Sequence, residues 1–164
     1  MAILYVMIGI PGSGKTTYAK NIKDAVVVSS DEIRYEITGS YSNMNYNSIV
    51  FNKMEKRIKK LLEEEKDVVY DATNITRWKR QHIVHTLKYS SNIRVVFIFM
   101  NTRLKICLER NEQKGERMTP ENVLADMFLK LEKPSRIYEQ CDDLLIVNED
   151  GTETLYNDER RIIW

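Results

Sequence analysis

Two cysteines in 164 residues, Cys107 and Cys141, are too few for a disulfide framework or a cysteine metal cluster. Cys107, set between Ile106 and Leu108, reads as a small core residue and not as a nucleophile. Neither charge sign dominates: 25 Lys and Arg against 24 Asp and Glu leave a formal +1. Nucleic-acid binding would therefore have to rest on a local patch and not on global attraction. No apolar run approaches the length of a membrane span. The first residues read as a strand, not as a charged and then apolar leader. A reducing cytoplasm is the expected setting, with no membrane partner. Linkers, internal repeats and low-complexity tracts are missing too, so one domain over 1–164 is expected. The chain is 43% hydrophobic and 30% charged, an ordinary balance for a globular protein large enough to bury a core.

What the chain does have begins at once. The apolar strand Ile3–Ile8 runs into Gly9-Ile10-Pro11-Gly12-Ser13-Gly14-Lys15-Thr16, which fits the phosphate-loop pattern G-x-x-x-x-G-K-[ST]. Glycines let the backbone curl so that successive N–H groups converge on one anion, and a following helix would aim its positive end at the same point. Gly12, Ser13, Gly14, Lys15, Thr16 and Thr17 are therefore expected to hold a nucleoside triphosphate. Lys15 would reach the β- and γ-phosphates, and the Thr16 hydroxyl would bind Mg²⁺. The Asn-Lys-x-Asp guanine signature is missing, so ATP is the expected donor.

Short, β-branched or aromatic-rich apolar runs follow at Ala25–Val28, Asp67–Tyr70, Arg94–Met100 and Leu144–Val147. Their near-continuous apolarity is that of strands covered on both faces. Helical patterns lie between them. Phe51, Met54, Ile58, Leu61 and Leu62 make one stripe. Thr76 and Thr102 stand as caps before two further helices, and Thr119-Pro120-Glu121 reads as a cap followed by proline at the first helical position. Asp150-Gly151 reads as a turn between Leu144–Val147 and Thr154–Tyr156. The alternation predicts a three-layer α/β/α fold around a central, mainly parallel sheet of about five strands.

Ligands on such sheets sit at the carboxyl ends of the strands. Ser30-Asp31-Glu32-Ile33-Arg34 follows the second strand, and Asp71-Ala72-Thr73-Asn74 follows the third, so both share the rim of the phosphate loop. Phosphoryl transfer to a hydroxyl needs a carboxylate that orients the O–H and takes its proton. Asp31 is the candidate, against the plainer reading that it or Ser30 caps a helix. Arg34, one turn on, suits an anionic acceptor. Asp71 either holds Mg²⁺ through water or anchors Arg34, and Asn74 is counted with these substrate-facing residues. Downstream, Arg110, Lys114 and Arg117 stand at i, i+4 and i+7. They read either as cations for the transferring group or as a solvated basic helix end.

Together, Gly9 to Thr17, Ser30 to Arg34, Val69 to Asn74, Glu109-Arg110-Asn111, Pro120 and Leu131-Glu132-Lys133-Pro134 resemble the phosphate-loop kinase family related to bacteriophage 5′-polynucleotide kinase. The resemblance spans most of the chain. It implies a P-loop kinase fold, Asp31 as general base, Arg34 on the phosphate beside the acceptor nucleotide, and Asp71 supporting that arginine. It also implies a lid carrying Arg110. The family's second lid arginine falls at Lys114, and because lysine offers no bidentate fork, Arg117 is taken for that role.

The function expected is ATP- and Mg²⁺-dependent transfer of the γ-phosphate to the 5′-OH end of DNA or RNA. A kinase for a small hydroxyl compound is the nearest alternative, and a nucleotide switch without an acceptor is the next. A single-strand acceptor would want a basic, aromatic-lined channel, for which Tyr35, Tyr41, Tyr46, Trp78, Lys79 and Arg80 are candidates.

Overall fold

The computed structural model describes residues 1–157. Six strands form one sheet: β1 (Ala2–Ile8), β2 (Ala25–Ser29), β3 (Asp67–Asp71), β4 (Ile93–Asn101), β5 (Asp143–Asn148) and β6 (Glu153–Tyr156), in the order β2-β3-β1-β4-β5-β6. Every neighbouring pair is parallel except β5 with β6. The expected count of about five thus becomes six. The extra strand, four residues long, pairs back on β5 through the Asp150-Gly151 turn, where Asp150 Oδ1 accepts from the Thr152 amide at 2.9 Å. Among the described residues there are also seven α-helices: α1 (Lys15–Lys20), α2 (Ser30–Thr38), α3 (Asn47–Glu63), α4 (Arg77–Leu87), α5 (Leu104–Glu112), α6 (Glu121–Lys130) and α7 (Arg136–Glu139).

Strand alternation divides the core into two layers. Leu4, Val6 and Ile8 of β1 pack with Ile33 of α2, with Val50, Met54, Ile58 and Leu62 of α3, and with Ile83, Val84 and Leu87 of α4. Met7 and Tyr5 face the other way, onto Ala19 and Tyr18 of α1. The fold is therefore three-layer α/β/α. A third, smaller cluster joins Ile10 of the glycine loop to Cys107 of α5 and Leu124 of α6, which seats those two helices over the loop.

Among the proposed caps, Thr76 behaves as expected and accepts from the Lys79 amide at 3.3 Å. Thr102 does not cap. Its Oγ1 donates to the Ser13 carbonyl at 2.9 Å, and Arg103 takes the cap position. Pro120 is itself the cap of α6, so the cap falls one position later than anticipated. The Thr119 backbone is held instead on both edges by the Asn111 amide side chain, at 3.0 and 2.7 Å. Asn111 thereby ties the end of α5 to the start of α6.

The strand order places β1 between β3 and β4, so the crevice of the sheet opens at the carboxyl end of β1. Gly9 begins there.

Candidate active site

The loop after β1 is shaped by close backbone approaches. The Gly9 amide donates to the Thr73 carbonyl at 3.0 Å, which joins the glycine loop to the segment after β3. Gly12 lies at φ +84°, and a Cβ there would fall 2.4 Å from the Cys107 carbonyl oxygen. Only glycine fits that contact without moving α5. Gly14 caps α1 in left-handed backbone. Helix α1 has only six residues, so an anion at this loop would be held by the loop amides more than by a long dipole. The Ser13 hydroxyl is buried and has no hydrogen-bond partner among the described residues.

Lys15 is 8% exposed and donates from Nζ to the Ile10 carbonyl at 3.0 Å. Burial pushes its ammonium down to about 8, against the pull of Asp71. Thr16 Oγ1 donates to Asp71 Oδ2 at 3.2 Å. Burial raises the Asp71 carboxyl, while the nearby Lys15 charge and the Thr16 hydrogen bond oppose that rise. A hydroxyl and a carboxylate side by side form an oxygen donor set that suits Mg²⁺, whose remaining positions phosphates and water commonly fill. The two residues therefore fit the metal that the loop motif implies.

The neutral fraction of Lys15 has a measurable consequence. Phosphates bound beside Lys15, as the loop motif implies, would favour the ammonium, so nucleotide binding would return a proton to Lys15 wherever it has been lost. A terminal phosphate ionises at about 6 and adds nothing at higher pH. ADP binding at pH 8.5 is therefore expected to take up protons, and affinity to fall as pH rises through about 8. Titration calorimetry in buffers of different ionisation enthalpy checks this, and identical enthalpies in all of them would contradict it.

On the same rim, Arg34 is 4% exposed and lies between two acceptors. Nη1 donates to Asp31 Oδ1 at 2.8 Å, and Nη2 donates to Asn47 Oδ1 at 3.0 Å. Its buried Nε has no hydrogen-bond partner among the described residues. The Asp31 carboxylate is 62% exposed. Asp71 and Arg34 do not meet, since Asp71 faces Thr16 while Arg34 faces Asp31 and Asn47. Asn74 is buried at φ +47°, and its amide donates to the Met7 carbonyl at 2.8 Å, so its side chain fastens the post-β3 turn to β1.

The downstream cations separate. Arg110 Nη1 reaches the Gly12 carbonyl at 3.4 Å. Arg117 turns away, donating to Glu32 Oε1 at 2.6 Å with its guanidinium 3.9 Å from the centre of the Tyr41 ring, which stacks on Tyr35. Desolvation lowers the Lys114 ammonium against the attraction of Asp31, and Lys114 is also electrostatically coupled to Lys15 and Asp71. Of the aromatic and basic residues expected to line a channel, Arg80 cannot do so because it is fully buried. Asn47 carries no sequence signal, and Asn111 enters the sequence reading only within Glu109-Arg110-Asn111, with no role of its own. Each is one polar residue among many, and only the fold shows what its amide holds.

The chain matches the AAA-domain family over residues 4–134. It is 28% identical over 141 residues to a protein of Autographa californica nuclear polyhedrosis virus named as a bifunctional polynucleotide kinase/RNA ligase, covering 73% of this chain and 20% of the viral one. It is also 28% identical over 149 residues to a KTI12 homolog of Oryza sativa subsp. indica, covering 81% of this chain and 48% of the relative. The chain thus spans from a fifth to about half the length of these curated relatives. Among solved structures, a chain of the Pnkp1/Rnl/Hen1 RNA repair complex superposes with TM-score 0.68 at 23% identity, over 85% of this chain and 45% of that one. Kti12 of Chaetomium thermophilum with ADP-AlF3 superposes with TM-score 0.70 at 17% identity, over 91% and 90%. Both likenesses are of fold. Together with the family match they describe a P-loop, AAA-type α/β architecture.

Proposed function

We propose, for a chain that belongs to the AAA-domain family, an ATP- and Mg²⁺-dependent kinase that transfers the γ-phosphate to the 5′-OH end of DNA or RNA. The Asp31–Arg34 pair carries this reading: a hydrogen-bonded carboxylate and a buried guanidinium with a spare donor, on the rim that also holds Lys15, Thr16 and Asp71. A nucleotide switch has no use for such a pair. The names of the viral relative and of the RNA repair complex support the nucleic-acid acceptor.

In this reading the loop amides and Lys15 hold the triphosphate. Thr16 and Asp71 hold Mg²⁺, which when bound would neutralise charge on the phosphates. Asp31 accepts the proton of the acceptor hydroxyl as its oxygen bonds to the γ-phosphorus and ADP departs. Arg34 holds the phosphate next to the acceptor nucleotide, exchanging one of its present partners for that anion. Arg110 and Lys114 face the transferring group. Arg117, paired with Glu32, holds the lid turn against α2. In this reading Lys114 takes the second lid role for which the lack of a fork had favoured Arg117, because Lys114 feels the charges of Asp31, Asp71 and Lys15 while the Arg117 fork is held by Glu32.

ATP consumption with and without 5′-OH oligonucleotides tests the reading. Stimulation by the oligonucleotide, with label carried to its 5′ end, is the expected result. Consumption that no acceptor alters would overturn it, and label on a small alcohol alone would move the enzyme to a different acceptor class. Arg34→Ala should raise the acceptor KM at least tenfold and leave ATP binding nearly unchanged.

A further inference from the structure

The face of α4 turned away from the core carries rings where a solvated helix would carry short or charged side chains. Trp78, His82, His85 and Tyr89 recur at i, i+4, i+7 and i+11, a single stripe that begins in the first turn of α4 and ends just past its last. Trp78 is 74% exposed and Tyr89 45%, and both histidines lie open. The buried positions Arg80, Ile83, Val84 and Leu87 occupy the opposite side. The Trp78 and His82 rings lie nearly parallel, 16° apart at 6.0 Å.

Charge gathers on the same surface. Helices α3 and α4 together carry eight Lys and Arg against two Glu; Arg80 is buried against Glu139, Lys53 and Arg57 pair with Glu36 of α2, and Lys79 pairs with Glu55, so the basic character of the surface rests on the lysines outside these pairs. Lys56, Lys59 and Lys60 of α3 are exposed, and Lys59 Nζ sits 5.3 Å from the centre of the Tyr89 ring. Helix α4 has no acidic residue, and Arg77, Lys79 and Arg80 crowd its first turn, against the preference of the helix dipole. The surface is also joined to the candidate site. Arg34 contacts Asn47, the first residue of α3, and His82 contacts Glu55 of the same helix at 3.3 Å. Eight residues of helix, about 12 Å, separate those two contacts.

We propose that this face of α3 and α4 is a track for single-stranded nucleic acid, binding the nucleotides that follow the phosphorylated end. Rings spaced along a basic surface suit it, because each base offers a π-face and each phosphate a negative charge. The stripe is about 16 Å long. The inference rests on the polynucleotide reading above and narrows its acceptor class: a small-molecule kinase would have no use for such a track.

The test uses the full chain with Trp164→Phe, which leaves Trp78 as the single tryptophan. A twelve-nucleotide 5′-OH oligothymidylate, added without ATP, should quench Trp78 fluorescence with an affinity that weakens as salt rises. Inorganic polyphosphate of equal charge should not quench. Replacing Trp78, His82 and Tyr89 by alanine should raise the twelve-mer KM at least tenfold, while kcat and KM for a nucleoside 3′-monophosphate stay within twofold. Equal quenching by both polyanions, quenching by neither, or an unchanged twelve-mer KM in the triple variant would overturn the track. If the oligonucleotide quenches Trp78 but no acceptor is phosphorylated, the track stands and the kinase reading falls. If both acceptors are phosphorylated without quenching, the kinase reading stands and the track falls.

Discussion

Asp31→Asn is expected to slow phosphoryl transfer to a 5′-OH oligonucleotide by about 10²–10⁴ while leaving ATP affinity within a few-fold of normal. The change keeps the size and one acceptor oxygen of the side chain but removes its ability to take a proton. The Asp31 carboxylate is 62% exposed and is held at one oxygen by Arg34. The other oxygen remains open to an incoming hydroxyl. Loss of the carboxylate charge also frees Arg34, whose attachment to Asn47 at 3.0 Å keeps it on the rim. The acceptor KM should therefore change little, and the loss should appear in kcat. Steady-state transfer assays with the oligonucleotide varied at saturating ATP separate the two. If Asp31→Asn retains near-normal kcat, Asp31 is not the base, and its role is confined to pairing Arg34.

The glycine loop and its partners were legible because each is bound to a local pattern. Gly9 to Thr16 follow a strand, the post-β2 and post-β3 polar runs end strands of the same parallel sheet, and a parallel sheet gathers all such ends on one rim. Nothing local reveals which way a cation points after a helix ends. Lys114 and Arg117 are a single 3₁₀ turn apart. One couples to Asp31 and Lys15, and the other folds back on Glu32 and Tyr41. The strand Glu153–Tyr156 escaped the count because four residues at a sheet edge carry too little apolar pattern, although the turn before it was readable. Arg80 was misplaced for the opposite reason. In Arg77-Trp78-Lys79-Arg80-Gln81 it stands among neighbours that are exposed or half-buried, and the partner that buries it lies 59 residues along the chain.

That partner makes Arg80 the site of the largest stability effect expected in this protein. Arg80 and Glu139 are both fully buried, joined Nε to Oε1 at 2.6 Å. The remaining Arg80 donors reach the Asn74 carbonyl at 2.8 Å and the Glu132 carbonyl at 2.9 Å, and the second Glu139 oxygen accepts from the Ser135 amide. One guanidinium thus fastens α4, the turn after β3 and the segment leading into α7. Arg80→Ala strands a buried carboxylate, and Glu139→Gln strands a buried guanidinium. Each is expected to cost about 3–5 kcal/mol, read as a lower urea midpoint at unchanged slope. The double replacement Arg80→Met with Glu139→Leu removes both charges from the interior and should recover part of that loss. It should still fall short of the wild type, because the Asn74 and Glu132 carbonyls lose their donors at about 1–3 kcal/mol each. The shortfall matters for activity as well as stability. The Asn74 side chain clamps β1 through the Met7 carbonyl, and the Thr73 carbonyl beside it receives the Gly9 amide. Loosening Arg80 therefore loosens the seat of the phosphate loop, and the double variant should bind ADP more weakly than wild type even under conditions where it is fully folded. A single variant that loses less than about 1 kcal/mol would mean that water reaches the pair and that Arg80 is no fastener.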